Sequence, residues 1–235
     1  MRQWFRLDRA VVVSYLGLGV TACAPKAPVL IPPTAAPATE ADVAAWVAET
    51  VPTGSVLYRF KWLFEEERRS TGGRGSARIA SPDSLRFDAA GPLGAGKIQA
   101  VVVADSAIWV EPQKSLQDLV PNYPLLWAML GVARPPEAGA SLRGATETDR
   151  VAWEYAIGPD TVQYLRTQGK SRTLYARVRH AGKTVGYSET TLSEDGRPTK
   201  AKLTVPSGPA KLTLTFYASV PSAAFPPGTW LPPNP

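Results

Sequence analysis

The chain is poor in the residues that usually carry chemistry. Over 235 residues it has one cysteine, one histidine and two methionines. With Cys23 alone no intramolecular disulfide can form, so an exported fold would hold by packing and hydrogen bonds. The single histidine, His180, stands beside an Ala181-Gly182 turn and reads as an exposed turn residue. Any Ser-His-Asp arrangement must use it, and no nucleophile elbow accompanies it. One His and one Cys also argue against a zinc site. Gly91 to Gly96 is glycine-rich but lacks the Lys-Ser/Thr of a phosphate loop. Glu65-Glu66-Glu67 beside Arg68-Arg69 reads as a solvated hairpin end rather than a catalytic acid pair. The formal charge is +6, but basic and acidic residues are interspersed, without the basic block of a nucleic-acid binder. No enzyme, cofactor, metal or nucleic-acid partner is implied. Nor is there an apolar run near the roughly 20 residues that span a bilayer.

What the chain does have begins at its N-terminus. Arg2, Arg6 and Arg9 precede a short apolar stretch, Ala10 to Val20, and small residues follow. That order reads as a secretory signal peptide over residues 1–22. Val20-Thr21-Ala22-Cys23 resembles the lipobox of bacterial lipoproteins. The resemblance implies a diacylglyceryl group on the Cys23 thiol, cleavage before Cys23 and acylation of the new amine. Ala24 follows where the inner-membrane retention signal would have Asp, which points to the periplasmic face of an outer membrane. Loss of Arg2, Arg6, Arg9 and Asp8 with the leader lowers the formal charge to +4.

From Cys23 to Thr39 the chain is rich in proline and alanine. It reads as a semi-extended tether with a reach on the order of 50 Å. A domain follows over 40–220, then a proline-rich tail over 221–235 with Phe225 and Trp230 as anchors. Thr39 to Val51 reads as a helix, with Thr39 as N-cap, Asp42 three residues on, and Pro52 and Gly54 ending it. Period-two alternation then takes over. Tyr58, Phe60, Trp62 and Phe64 share one strand face, with Arg59 and Lys61 opposite. Gly72, Gly73 and Gly75 read as a turn. Further alternating runs, separated by Gly, Pro and Asp breaks, give about eleven antiparallel strands in a meander. Midway, Pro121 and Pro124 split an apolar insert, whose second part, Pro124 to Leu130, is greasy on nearly every side and stops at Gly131.

Two segments resemble the lipoprotein-localisation family, the LolA- and LolB-like proteins. One is Ser81-Pro82-Asp83-Ser84-Leu85-Arg86-Phe87 with the following Gly91-Pro92-Leu93-Gly94. The other is Tyr123-Pro124-Leu125-Leu126-Trp127-Ala128-Met129-Leu130-Gly131. The resemblance implies a mainly β fold: a curved, incomplete antiparallel β-barrel with an N-terminal helix and a short helical lid. The lid would be Leu125, Leu126, Trp127, Met129 and Leu130. Tyr58, Phe60, Trp62, Phe87, Trp109, Trp153 and Tyr155 are then either plain core or the lining of an apolar cavity for acyl chains. Leu93 either projects as a membrane-contacting turn or folds back onto the core edge. The implied partner is a lipid acyl chain or an acylated lipoprotein, with the membrane reached through the N-terminal lipid. The alternative is a non-enzymatic envelope protein-interaction or sensing module on the same fold.

If the lipobox reading holds, Cys23→Ser abolishes labelling by a fatty-acid analogue in cells and leaves uncleaved or released protein. Equal labelling of the variant would remove the lipid anchor.

Overall fold

The computed structural model describes residues 29–67, 69–94, 96–112, 120–169, 171–208 and 210–232. Cys23 and the leader lie outside them. The alternating runs become thirteen strands: β1 (Ala36–Pro37), β2 (Ser55–Glu66), β3 (Arg69–Ala80), β4 (Ser84–Ala90), β5 (Lys97–Val103), β6 (Ser106–Glu111), β7 (Ser141–Glu147), β8 (Arg150–Ile157), β9 (Asp160–Thr167), β10 (Arg172–His180), β11 (Lys183–Leu192), β12 (Pro198–Val205) and β13 (Ala210–Ser222). Among the described residues two α-helices accompany them, α1 (Glu40–Ala48) and α2 (Tyr123–Met129). All strands join one antiparallel sheet in the order β1-β7-β8-β9-β10-β11-β12-β13-β2-β3-β4-β5-β6. The sheet does not close, so β1 and β6 are its two edges. The result is a curved, incomplete barrel.

This order dictates where the insert must go. The chain leaves β6 at one edge and resumes at β7 next to the other. Its connection therefore crosses the sheet, and α2, which packs on β10, β11 and β12, carries the apolar part of that crossing. Helix α1 forms as its residues require. Asp42 N–H donates to Thr39 Oγ1 at 3.1 Å, and Thr39 N–H donates to Asp42 Oδ2 at 3.0 Å, a capping box that satisfies two orphan donors. The helix ends at Ala48, three residues short of the expected Val51.

Two expectations need correction. Gly72, Gly73 and Gly75 do not turn the chain; they lie inside β3, opposite Leu63, Trp62 and Phe60. A Cβ on Gly75 would stand 2.5 Å from Phe60 Cε2 and 2.7 Å from Asp88 O. Glycine is needed there because the Phe60 ring lies across β3 to stack on Phe87, centroids 5.5 Å apart. The tether is also shorter than its composition suggests. Leu30 is buried against Ala152 and Leu165 on the outer side of the sheet, and Ala36–Pro37 pairs with Gly144 and Arg143 of β7. Proline suits such a position, since it costs an edge strand little.

The described residues form the sheet, both helices, a main hydrophobic core and a small outer cluster around Leu30. Gly75→Ala is expected to lower stability by about 2 kcal/mol through overpacking, measured by chemical denaturation. Part of that loss should disappear in a Phe60→Leu background. Equal losses in both backgrounds would place the constraint elsewhere.

Candidate functional site: the concave face and its helix

The strand pattern sorts the expected cavity residues by face. Tyr58, Phe60, Phe87, Trp153 and Tyr155 are buried on the concave side. Trp62 is half-buried beside them, and its Nε1–H donates to Ala90 O at 3.1 Å. Trp109 is misplaced by the sequence reading. It pairs through Val101 with Arg86, and these residues face outward. There Arg86 lies 5.4 Å from the Trp109 ring centroid, and Trp109 Nε1–H donates to Trp230 O at 3.2 Å. The irregularity between Val101 and Val102, an extra residue in β6, reverses the side to which Trp109 points. The tail thus covers the outer face of β4 to β6, with Phe225 and Trp230 in ring contact at 6.1 Å.

The concave aromatics do not line an open cavity; they share one buried cluster with α2 and with α1, whose Trp46 ring lies 6.0 Å from that of Trp153. Leu125, Leu126, Trp127, Ala128 and Met129 are buried, as is Leu130 just beyond. A Cβ on Gly186 of β11 would stand 2.8 Å from Leu125 Cδ1, so the helix lies close against the sheet. A seven-residue helix is too short to persist alone. This one is pinned on both sides of the concavity. Thr190 Oγ1 of β11 donates to Ala128 O at 2.8 Å. Trp127 Nε1–H donates to Ala104 O, in the β5–β6 turn, at 2.8 Å. Just past the helix, Ala133 N–H donates to Thr50 Oγ1 at 2.9 Å and Arg134 N–H to Tyr164 Oη at 3.1 Å.

Arg134 holds the centre of this arrangement. It is buried, its guanidinium lies 4.9 Å from the Trp127 ring centroid, and its Nε is 3.5 Å from Asp105 Oδ1. Burial pushes the Asp105 carboxyl above the usual carboxylate range, and the Arg134 charge opposes that shift. Burial also pushes the Tyr164 hydroxyl up to about 12, so Tyr164 stays a neutral acceptor for the Arg134 amide. Tyr164, Thr190, Asp105 and Arg134 were not legible as a group. Only Arg134, a lone cation after Leu125 to Ala133, carries a local signal of a charge needing a buried partner.

Two clefts open on either side of the start of α2, and Pro121 borders each. One cleft of about 600 Å³ is lined by Tyr123, Tyr155, Ile157, Val162 and Val178, with Asp105, Glu137 and Asp160 as its charged members. A second of about 230 Å³ is lined by Phe64, Leu203, Val205 and Leu212. Leu93 lies elsewhere. It is fully exposed, at φ 55° and ψ 21°, in the Pro92–Gly94 turn between β4 and β5. His180 is exposed and lies 2.7 Å from Asp160. Among the described residues no group of three His, Cys, Asp or Glu could hold a metal ion, and no helix is long and apolar enough to cross a membrane. The arrangement suits holding apolar matter.

No family model and no curated protein matches the sequence. Solved structures do match in shape. A LolA superfamily protein from Nitrosomonas europaea has a TM-score of 0.53 at 12% identity, over 83% of this chain and 98% of that one. A putative outer membrane lipoprotein-sorting protein domain from Vibrio parahaemolyticus has a TM-score of 0.37 at 8% identity, over 80% and 94%. MucB has 0.37 at 16%, over 83% and 62%. At such identities the first likeness speaks to the fold alone, and the other two carry no weight. The open thirteen-stranded sheet thus has a LolA-like fold, that of the Nitrosomonas europaea protein.

Proposed function

We propose that this chain is a lipid-anchored periplasmic carrier that binds an acyl chain on its concave face, in place of α2. The acyl chain belongs to a lipid or to a lipoprotein in transfer, and the anchor on Cys23 holds the carrier at the outer membrane. The observation that carries the reading is the burial of a short, all-round apolar helix against an unclosed apolar sheet. Burying the side chains of Leu125, Leu126, Trp127, Met129 and Leu130 contributes on the order of 10 kcal/mol at about 2 kcal/mol each. A chain of about a dozen methylenes, at about 0.8 kcal/mol each, contributes about the same. Exchange of helix for acyl chain is therefore close to balanced in apolar burial. The clefts beside Pro121 give a chain its first foothold without moving the helix. The exposed Leu93 turn is the part that meets the membrane or the incoming lipoprotein. No catalytic step is proposed.

A second reading rests on the packed interior and on edge strand β6. Among the described residues β6 pairs only with β5, and its Ile108 is exposed. Such an edge accepts a partner's strand, which would make the domain an envelope interaction module.

A fluorescent fatty-acid probe separates the two. The chain from Ala24, which keeps every described residue, is expected to bind the probe. Trp127→Ala should strengthen binding severalfold by loosening α2, and Met129→Glu should change it as well. A folded protein that binds no probe would overturn the carrier reading in favour of the protein partner.

A further inference from the structure

The outer face of β2 to β5 carries a third, quite different cleft of about 420 Å³. Its charged lining is Arg59, Arg74, Arg78 and Lys97 against a single acid, Asp88. Asp88 is already committed. Arg78 Nη1 lies 2.7 Å from it, Arg86 Nε 3.1 Å, and Gln99 Nε2–H donates to it at 2.9 Å. Among the described residues the side chains of Arg59, Arg74 and Lys97 meet neither an acid nor a hydrogen-bond partner. These cations come from three strands, and period-two alternation with antiparallel register gathers them on one surface. Tyr217 adds an aromatic wall. The irregularity between Phe216 and Ala218 in β13 leaves it as the extra, exposed residue on this lining.

The cleft also has a definite neighbour. Ala90 and Lys97, which line it, are the last and first residues of β4 and β5, and the turn between them carries the fully exposed Leu93. An uncompensated basic cleft at the foot of an exposed leucine matches the edge of a bilayer. There an apolar side chain can leave water while cations meet phosphates just outside. We infer that this cleft binds the phosphate of an anionic membrane lipid headgroup and orients the domain on the bilayer with Leu93 inserted. This deepens the proposed role of the Leu93 turn and rests on it; acyl binding on the concave face is separate.

Co-sedimentation of the chain from Ala24 with vesicles tests it. Vesicles of phosphatidylcholine with about one third phosphatidylglycerol should bind the protein, and pure phosphatidylcholine vesicles should bind it weakly. Replacing Arg59, Arg74 and Lys97 together by Gln should weaken binding to the acidic vesicles by about a hundredfold, roughly fivefold per cation. Thermal denaturation should show the variant folded, and its fatty-acid probe binding should match wild type. Lys183→Gln, in a distant hairpin, should change vesicle binding by no more than about twofold. Leu93→Glu should reduce binding to both vesicle types. Wild-type binding by the Gln variant would overturn the headgroup site. So would a site saturated by millimolar inorganic phosphate in a protein that ignores acidic vesicles. Loss of vesicle binding in the Gln variant alone, with none in Leu93→Glu, would overturn the insertion of Leu93 and the orientation that depends on it.

Discussion

An open sheet cannot bury its own concave face, and the rest of this molecule follows from that constraint. A closed barrel meets its interior with its own far wall. Here the two edges, β1 and β6, stay apart, so Phe60, Phe87, Trp153 and Tyr164 need another occupant. Helix α2 supplies most of that occupant, and Trp46 of α1 covers Trp153. Helix α2 is supplied by the connection from β6 to β7, which must cross the sheet, and it is held by contacts outside its own length: Thr190 on one side, Ala104 and Arg134 on the other. Most of those contacts are polar and sit at the ends and sides of the helix. The apolar contacts are ones that any hydrocarbon of similar size can make, since hydrophobic burial is non-directional. The occupant is therefore specified weakly by chemistry and strongly by the chain that carries it.

The two faces of the sheet divide the work. The concave face is apolar and filled. The convex face carries the charge, with Arg78 and Arg86 spent on Asp88 and three further cations left around the same cleft. At the end of the β4–β5 hairpin the two kinds of surface meet in the Leu93 turn. Arg134 is the exception to this division: a buried cation close to Asp105 and the Trp127 ring. Such a group sets position more than stability, because its desolvation offsets much of its attraction.

Much of this was readable from the residues. The period-two face of β2, the Thr39–Asp42 cap and the proline-bounded apolar insert each follow from local patterns, and the structure keeps them. What escaped has a common cause, since it depends on partners distant in sequence. Gly72, Gly73 and Gly75 look like a turn until Phe60 is placed across them. Trp109 is assigned to the wrong face because one extra residue in β6 is invisible without Val101 and Val102 opposite. Tyr164 was overlooked because β9 is buried on both faces, Leu30 covering the outer one, and alternation vanishes there. The basic cleft likewise depends on residues distant in sequence. Residues 59, 74, 78 and 97 are interspersed with acids along the chain and adjacent only in the sheet. The stretch before Thr39 has the composition of a tether, yet Leu30 docks.

Hydrogen exchange of the α2 amides with and without a saturating fatty acid tests the central claim most directly. If an acyl chain takes the place of the helix, the Leu126 and Leu130 amides, bonded in the free protein to Asn122 O and Trp127 O, should exchange at least tenfold faster in the complex. Core strands β2 and β10 should stay protected. Fatty acid bound with α2 protection unchanged or raised would mean that the helix is a fixed part of the core and that any acyl site lies elsewhere.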